Sequence, residues 1–344
     1  MRNRKINLVA LFLLLTIHFG CSQTVTNNVA PSILTTTSFA KGADISWITE
    51  MEKSGLLFYN SSNVQMDCMQ LLKEKGMNAI RLRVWVNPSN GWCNSNDVLV
   101  KALRAKKLGM KIMIDFHYSD IWADPGHQKK PAAWSAYTIS QLNKAVYDHT
   151  FDVMSQLKAN DISPEWVQIG NETNDGMLWD EGRASVNMKN FALFINSGYS
   201  AVKAISNSSK VMVHISNGYD NALFRWIFDG LTSNGANWDM IGLSLYPEST
   251  NWQSLNTQCL ATMNDLVNRY GKEVMVCEVG MNVNDPAGCK AFLTDIIAKT
   301  KSVVGGKGMG VFYWEPQCYN WANYQKGAFD SNNKPTIALD AFAN

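Results

Sequence analysis

Three stretches of this chain make the same transition: "KEKGMNAIRLRV" (73–84), "AKKLGMKIMIDF" (105–116) and "VGGKGMGVFYW" (304–314). Each carries one or more lysines and a glycine that suit a helix carboxyl end, then passes through Gly-Met into an apolar run. A unit that closes a helix and opens a strand, used repeatedly, constrains the fold to alternating helices and strands. Apolar runs extend the pattern to eight strand candidates: 41–46, 78–86, 111–118, 165–172, 211–216, 238–247, 273–280 and 309–316. In "NVQMDCMQLLKEKGMN" (63–78) apolar residues recur at helical spacing, with Asn63 as the expected cap. Strands alternating with helices argue for a parallel sheet. Eight such units in about 300 residues predict a single α/β domain, a (β/α)8 TIM barrel over 40–344. An open doubly wound sheet is the alternative, and no GxGxxG or P-loop follows any strand to support it.

The joins are unequal. Helix-to-strand joins are short, whereas "HYSDIWADPGHQKKPAAW" (117–134), "NETNDGMLWDEGRASVNMKN" (171–190) and the tail after Trp314 are long and polar. In a barrel these long segments build the carboxyl-terminal face, where active sites sit.

Strand alternation sorts the side chains. In 78–86, Ile80, Leu82, Val84 and Val86 suit the helix layer, which turns Arg81, Arg83 and Trp85 into the barrel. Two inward guanidiniums need anionic partners. Val274, Val276 and Glu278 fall on one face of their strand, and Gln168, Gly170 and Glu172 on one face of theirs. Glu172 and Glu278 therefore stand at the ends of the fourth and seventh strands. One carboxyl kept protonated and a second kept ionised make the pair that cleaves a glycosidic bond. The competing reading makes both glutamates structural partners of Arg81 and Arg83. Asn171, His117, His214 and Tyr246 add polar tips at strand ends and favour the catalytic reading.

Twelve tryptophans point to a ligand with flat apolar faces, as sugars have. Trp47, Trp85, Trp92, Trp122, Trp179 and Trp314 fall at or just after strand ends, with Trp314 expected as a platform. Trp166, Trp226 and Trp238 read as core. His117, Asp120, Asp124 and His127 match no metal motif. The oxygen-rich "MNVNDPAG" (281–288) lacks the order of a calcium loop, so no metal is assigned and calcium stays a weaker alternative.

The amino terminus reads as an export leader: Arg2, Arg4 and Lys5, the apolar run Leu8 to Ile17, then Gly20-Cys21. Residues 1–20 are the expected signal peptide and Cys21 a lipidation site, followed by a polar tether over 21–39. Simple secretion is the alternative. Without the leader's three cations, the 31 Lys and Arg fall to 28 against 29 Asp and Glu, so no nucleic-acid partner is expected. Membrane attachment would then run through Cys21. Six further cysteines, at 68, 93, 259, 277, 289 and 318, leave the pairing open.

"GADIS", "NAIRLRVWVNP", "DFHYSDIWADPGHQKKPAAW", "VQIGNETNDGMLW", "VCEVG" and "GVFYWEP" together resemble the signature segments of family 53 glycoside hydrolases, the arabinogalactan endo-β-1,4-galactanases. The resemblance spans nearly all of 40–344 in the expected order. It implies retaining endo-hydrolysis of β-1,4-galactan, a pectin side chain, with a polysaccharide as partner. Glu172 would be the acid/base and Glu278 the nucleophile, with carboxyls about 5–5.5 Å apart. Asn171 would bind the sugar 2-hydroxyl, Arg83 and Tyr246 would hold Glu278, and Trp314 would floor the cleavage subsite. His117 and His214 would line the pocket. A clan neighbour cutting mannan or cellulose, or a surface glycan binder without hydrolysis, are the remaining alternatives.

Overall fold

The computed structural model describes residues 39–343. The expected signal peptide, Cys21 and all but the last residue of the tether lie outside the described residues. Eight parallel strands close into a barrel: β1 (Ala40–Asp44), β2 (Ala79–Val84), β3 (Lys111–Phe116), β4 (Trp166–Ile169), β5 (Lys210–Ile215), β6 (Met240–Leu245), β7 (Glu273–Val279) and β8 (Gly308–Trp314). β8 pairs with β1, Ala40 opposite Gly310 through Asp44 opposite Trp314, and so leaves no free edge. The outer layer is α1 (Ile48–Lys53), α2 (Cys68–Glu74), α3 (Ser95–Lys107), α4 (Ile139–Lys158), α5 (Ala184–Ile205), α6 (Asn221–Ser233), α7 (Trp252–Tyr270) and α8 (Pro286–Lys301). No helix among the described residues is long and apolar enough to cross a membrane.

The repeated Gly-Met transition behaves as expected twice. Gly76 and Gly109 have φ of 91° and 67°, the left-handed region that ends α2 and α3. Gly308 is different, since it already lies in β8, and Gly305 and Gly306 take the positive φ before it. Asn63 caps no helix. It sits in the turn of a small antiparallel pair, Phe58–Tyr59 with Gln65–Met66, and α2 is capped by the Asp67 side chain accepting from Gln70 N.

Two apolar layers separate cleanly. Ile80, Leu82, Ile112, Ile114, Val211, Val213, Ile241 and Leu243 face the helices. The interior is filled by Ala40, Ala79, Met113, Trp166, Met212, Met240, Met275, Cys277, Met309 and Phe312. Methionine fills irregular gaps well, and space for the large rings comes from small residues. A Cβ on Gly42 would lie 2.2 Å from the Phe312 ring. Trp166 and Trp238 are buried as expected, but Trp226 is 43% exposed on α6 and is no core residue. All six cysteines from Cys68 onward are buried free thiols.

Above the methionine layer the interior turns polar: Asp44, Arg81, Arg83, Asp115, Gln168, His214, Ser244 and Glu278 are all buried. Buried charges persist only when paired. This layer is the base of the carboxyl-terminal face.

Candidate active site

Arg81 organises the centre. Its Nη1 lies 2.7 Å from Asp44 Oδ2, and its Nη2 lies 2.9 Å from Asp115 Oδ2 and 2.8 Å from Glu278 Oε1. Nη2 also donates to Asn171 Oδ1 at 2.9 Å, and to Gln168 Oε1 at 3.0 Å. One planar guanidinium thus ties β1, β2, β3, β4 and β7 together. Burial pushes the Asp115 carboxyl up, but Arg81 and His117 outweigh it and hold Asp115 below the usual range.

Arg83 does not reach Glu278, contrary to the expectation from the family resemblance. Its Nη1 lies 3.5 Å from Glu315 Oε1, and its guanidinium sits 4.1 Å from the Trp122 ring centroid and 5.0 Å from that of Trp85. It supports aromatic rings by a cation–π contact rather than the carboxylate. Tyr246 fits its expected place, donating from Oη to Glu278 Oε2 at 2.9 Å.

Glu278 comes to face inward for a reason alternation did not supply. Met275 and Cys277 belong to the interior layer, and Val274 and Val276 to the outer one. Simple alternation would therefore send Glu278 outward. In the β6–β7 register, Leu243 pairs with Val276 and the next residue, Ser244, with Glu278. Cys277 is the extra residue of a β-bulge, which turns the following side chain back into the barrel. The bulge is repeated against β8, where Val311 pairs with Val276 and Tyr313 with Val279.

Glu172 also needs an irregular backbone. β4 ends at Ile169, three residues short of it, and Gly170 and Glu172 take φ of 81° and 43°. This turn is held at the next residues, where Thr173 N donates to His214 O at 2.9 Å. The Gln128 amide donates to Asn171 O at 2.8 Å and lies 3.4 Å from Glu172 O. The Glu172 carboxyl accepts from Ser244 Oγ at 2.7 Å, and His214 Nε2 lies 2.7 Å from that same Oγ. Burial keeps His214 far below its usual pKa, so it is neutral. Its Nδ1 lies 3.1 Å from Gln168 Nε2 and 3.0 Å from Asn171 Oδ1, and the Ser244 hydroxyl between its Nε2 and Glu172 donates to the carboxyl. His214 does not line the cleft; it stands behind Glu172.

The cleft has a volume of about 480 Å³ and opens on Glu172, Glu278, Asn171, Tyr246, His117 and Trp314, with Trp47, Trp122 and Tyr324 completing its wall. Trp314 meets Tyr324 edge-on at 4.6 Å and Trp47 at 5.1 Å, which fixes its plane. His117 is buried and neutral: burial lowers its pKa, Nε2 donates to Asp115 at 2.9 Å, and Nδ1 accepts from Ala123 N and Trp85 Nε1. Asn171 Nδ2 spends one hydrogen on Ala123 O at 2.8 Å, leaving the other for the cleft.

Burial pushes both Glu172 and Glu278 up; Arg81 lowers Glu278 in part, and the Glu172 carboxyl raises it. Two such groups titrate as a pair. The proton rests where fewer donors compete for it. Glu278 accepts from Arg81 and from the Tyr246 hydroxyl, itself kept protonated by burial and by Glu278, whereas Glu172 accepts from Ser244. By this donor count Glu278 is the better placed of the two to stay ionised, and Glu172 to keep a proton.

Asp44, Asp115, Ser244 and Glu315, buried polar residues on barrel strands or just after them, carry no signal of their own in the sequence, and Gln168 is marked there only as sharing a face with Glu172. Asp115 shares a strand face with His117, the one cue that could have found it. In "HYSDIWADPGH" Asp120 accepts from Asn87 N and Ala132 N, and Asp124 from His127 and Gly126 N, so these side chains shape the loop. In 281–288, Asp285 caps α8 and accepts from Ser249, while Asn282 accepts from Asn284 N. No group of three His, Cys, Asp or Glu able to hold a metal occurs among the described residues.

The family model described as Glycosyl hydrolase family 53 matches residues 40–342. A protein of Neosartorya fischeri named probable arabinogalactan endo-beta-1,4-galactanase A is 35% identical over 325 residues, 87% of this chain and 88% of that one. Among solved structures, a fungal beta-1,4-galactanase aligns with a TM-score of 0.82 and 30% identity, over 89% of this chain and 99% of the other. The family 53 catalytic domain of Ignisphaera aggregans aligns with the same TM-score and 29% identity, over 89% and 96% of the two chains.

Proposed function

The chain belongs to glycosyl hydrolase family 53 and is a glycoside hydrolase, and from that premise we propose that it cuts internal β-1,4-galactosidic bonds of galactan and arabinogalactan with retention of configuration. The substrate class rests on relatives named for that activity. The chemistry rests on one observation: Glu172 and Glu278 open on the same cleft with unequal sets of donors.

In the first step a Glu278 carboxylate oxygen attacks the anomeric carbon. The bond from that carbon to the leaving oxygen breaks, and the Glu172 proton passes to that oxygen. The product is a glycosyl ester on Glu278 and a shortened chain. In the second step Glu172, now a carboxylate, takes a proton from water as the water oxygen attacks the same carbon. The ester bond breaks, Glu278 is restored, and two inversions give net retention. Asn171 donates its remaining amide hydrogen to the sugar 2-hydroxyl, and Trp314 stacks beneath the reacting ring. Arg81 and Tyr246 hold Glu278 ionised and aimed, and His117 lines the wall. His214 acts through Ser244.

The leader and Gly20-Cys21 support export and acylation of Cys21, which would place the enzyme at the cell surface on its polar tether. Mass spectrometry of the mature amino terminus tests this; an unmodified start beyond Cys21 rejects it. The reaction is tested by assaying wild type, Glu172→Gln and Glu278→Gln on β-1,4-galactan, mannan and cellulose, following the first-formed anomer by NMR. Galactan cleaved to the β-anomer by wild type alone is expected. Preference for mannan or cellulose, or an α-anomer formed first, would overturn the reading.

A further inference from the structure

Behind the aromatic wall of the cleft lies a second cluster of buried charges that the two hydrolysis steps do not use. Trp47, Trp122 and Trp314 line the cleft and Trp85 backs them, with neighbouring rings 5.1 to 5.7 Å apart, edge-on or tilted. The Arg83 guanidinium lies among three of these rings, 4.1 Å from the Trp122 centroid, 5.0 Å from that of Trp85 and 5.6 Å from that of Trp47. Its one carboxylate contact among the described residues is long, Nη1 to Glu315 Oε1 at 3.5 Å. Its Nε and Nη2 are buried and have no hydrogen-bond partner there.

Glu315 is fixed from several sides. Trp47 N lies 3.1 Å from Oε1 and 3.3 Å from Oε2, and Gln317 Nε2 donates to Oε2 at 2.6 Å. The backbone aims the side chain. Glu315 takes a φ of 47° directly after Trp314, the last residue of β8, and its N–H donates to Asp44 O at 2.8 Å. One buried carboxyl thus joins the loop after β1 that carries Trp47, the strand end that carries Trp314, and the cation on β2.

This is a poor way to stabilise a fold. A guanidinium whose other nitrogens find no acceptor keeps much of its desolvation cost, and a buried ion pair replaced by apolar groups of like volume is often no less stable. Burial and Asp44 push the Glu315 carboxyl up as well, against the pull of Arg83 and Gln317. Deeper in the same barrel the interior is filled by methionines and other apolar side chains. What the charges supply is orientation, because a cation attracts ring faces and so sets three indoles around one fixed point.

We propose that Glu315 and Arg83 are positioning residues for substrate, a buried pair that holds Trp47 and Trp122 in the planes against which sugar rings pack. The pair acts through the indoles; no hydrogen bond or ion pair joins it to Glu172 or Glu278. The inference rests on the galactanase reading above. A stacking wall serves bound substrate and transition state alike, so its loss raises KM and spares kcat. A cluster that merely held the fold would lower kcat with the folded fraction and leave KM alone.

The test measures kcat and KM on β-1,4-galactan, with urea unfolding, for wild type, Arg83→Lys and the double variant Arg83→Met/Glu315→Gln. The double variant strands no charge, so its unfolding midpoint should stay close to that of wild type while KM rises roughly three- to tenfold and kcat stays within about twofold. Arg83→Lys keeps a cation among the rings and should show a smaller rise in KM. An unchanged KM in the double variant, a fall in kcat without a rise in KM, or failure of the double variant to fold would each overturn the proposal. Wild type inactive on galactan but active on another polysaccharide would defeat the galactanase reading instead, and the same comparison is then made on that polysaccharide.

Discussion

Arg81 Nη2 lies 2.8 Å from Glu278 Oε1, and this contact ties Glu278 to the same guanidinium that joins Asp44 and Asp115. The neighbouring Arg83, two residues along the same strand, is turned instead to Glu315 and a cluster of tryptophans. The two arginines are therefore separable by experiment.

Arg81 favours the ionised form of Glu278, so weakening it raises the Glu278 pKa. The acidic limb of the kcat/KM profile reports loss of the nucleophile's charge as pH falls. Arg81→Lys keeps a cation but loses the planar fork, and the acidic limb should move upward by roughly one pH unit with kcat reduced. Arg83→Lys should leave that limb in place. Arg81→Met, which strands buried carboxylates, should lower unfolding free energy in urea by about 3–5 kcal/mol.

The alkaline limb reports loss of the acid's proton as pH rises. Burial raises the Glu172 pKa, and the Ser244 hydrogen bond lowers it in part. The other charged or titratable groups acting on Glu172 are Arg81, which lowers the value, Asp124 and Asp115, which raise it, and its coupled partner Glu278. His214 bears on it through Ser244 and stays neutral. Ser244→Ala should shift the alkaline limb to higher pH, with the acidic limb held by Arg81. A profile unchanged by Ser244→Ala would contradict the assignment of Glu172 as acid.

What could be read in the sequence, and what could not, divides at the regularity of the backbone. Five of the eight barrel strands fall within the apolar runs and β1, β5 and β8 begin one residue before theirs, because fully buried parallel strands leave continuous apolar segments. The inward turn of Arg81 and Arg83 follows from alternation along an unbroken strand. Alternation failed wherever the strand is broken. Glu278 faces inward because of the Cys277 bulge, and Glu172 because of the Gly170 turn. Both were placed on the correct side by counting along a strand that is not regular there. Which arginine meets Glu278, and that His214 stands behind Ser244, depend on distances between strands far apart in the chain. The spacing of Asn63 suits a helix cap, yet Asp67 makes the bond.

The barrel interior should resist even one added carbon. A Cβ at Gly42 would sit 2.2 Å from the Phe312 ring, which is buried among the strands and has little room to move. Gly42→Ala should lower unfolding free energy by roughly 1–3 kcal/mol, measured by urea denaturation, with Gly126→Ala, where a Cβ would meet nothing closer than 3.4 Å, serving as the contrast.

The cysteines from Cys68 onward are buried free thiols, and burial raises the pKa of Cys259 and Cys289 to about 12. Thiolate is the reactive form, so these groups should not react with a thiol reagent in the folded enzyme at neutral pH. A chain beginning after Cys21 should yield six thiols on denaturation without reductant, and its melting temperature should not change with added reductant. Fewer than six would reveal a disulfide.

The division of roles between Glu278 and Glu172 is tested most directly by trapping the covalent intermediate. A 2-deoxy-2-fluoro-β-galactobiosyl fluoride slows both steps by withdrawing electrons from the oxocarbenium-like transition state, and its good leaving group lets the ester form and persist. Peptide mapping by mass spectrometry should find the glycosyl label on Glu278, with hydrolysis of the ester slowed further in Glu172→Gln. A label on Glu172 or on any other residue would contradict the account.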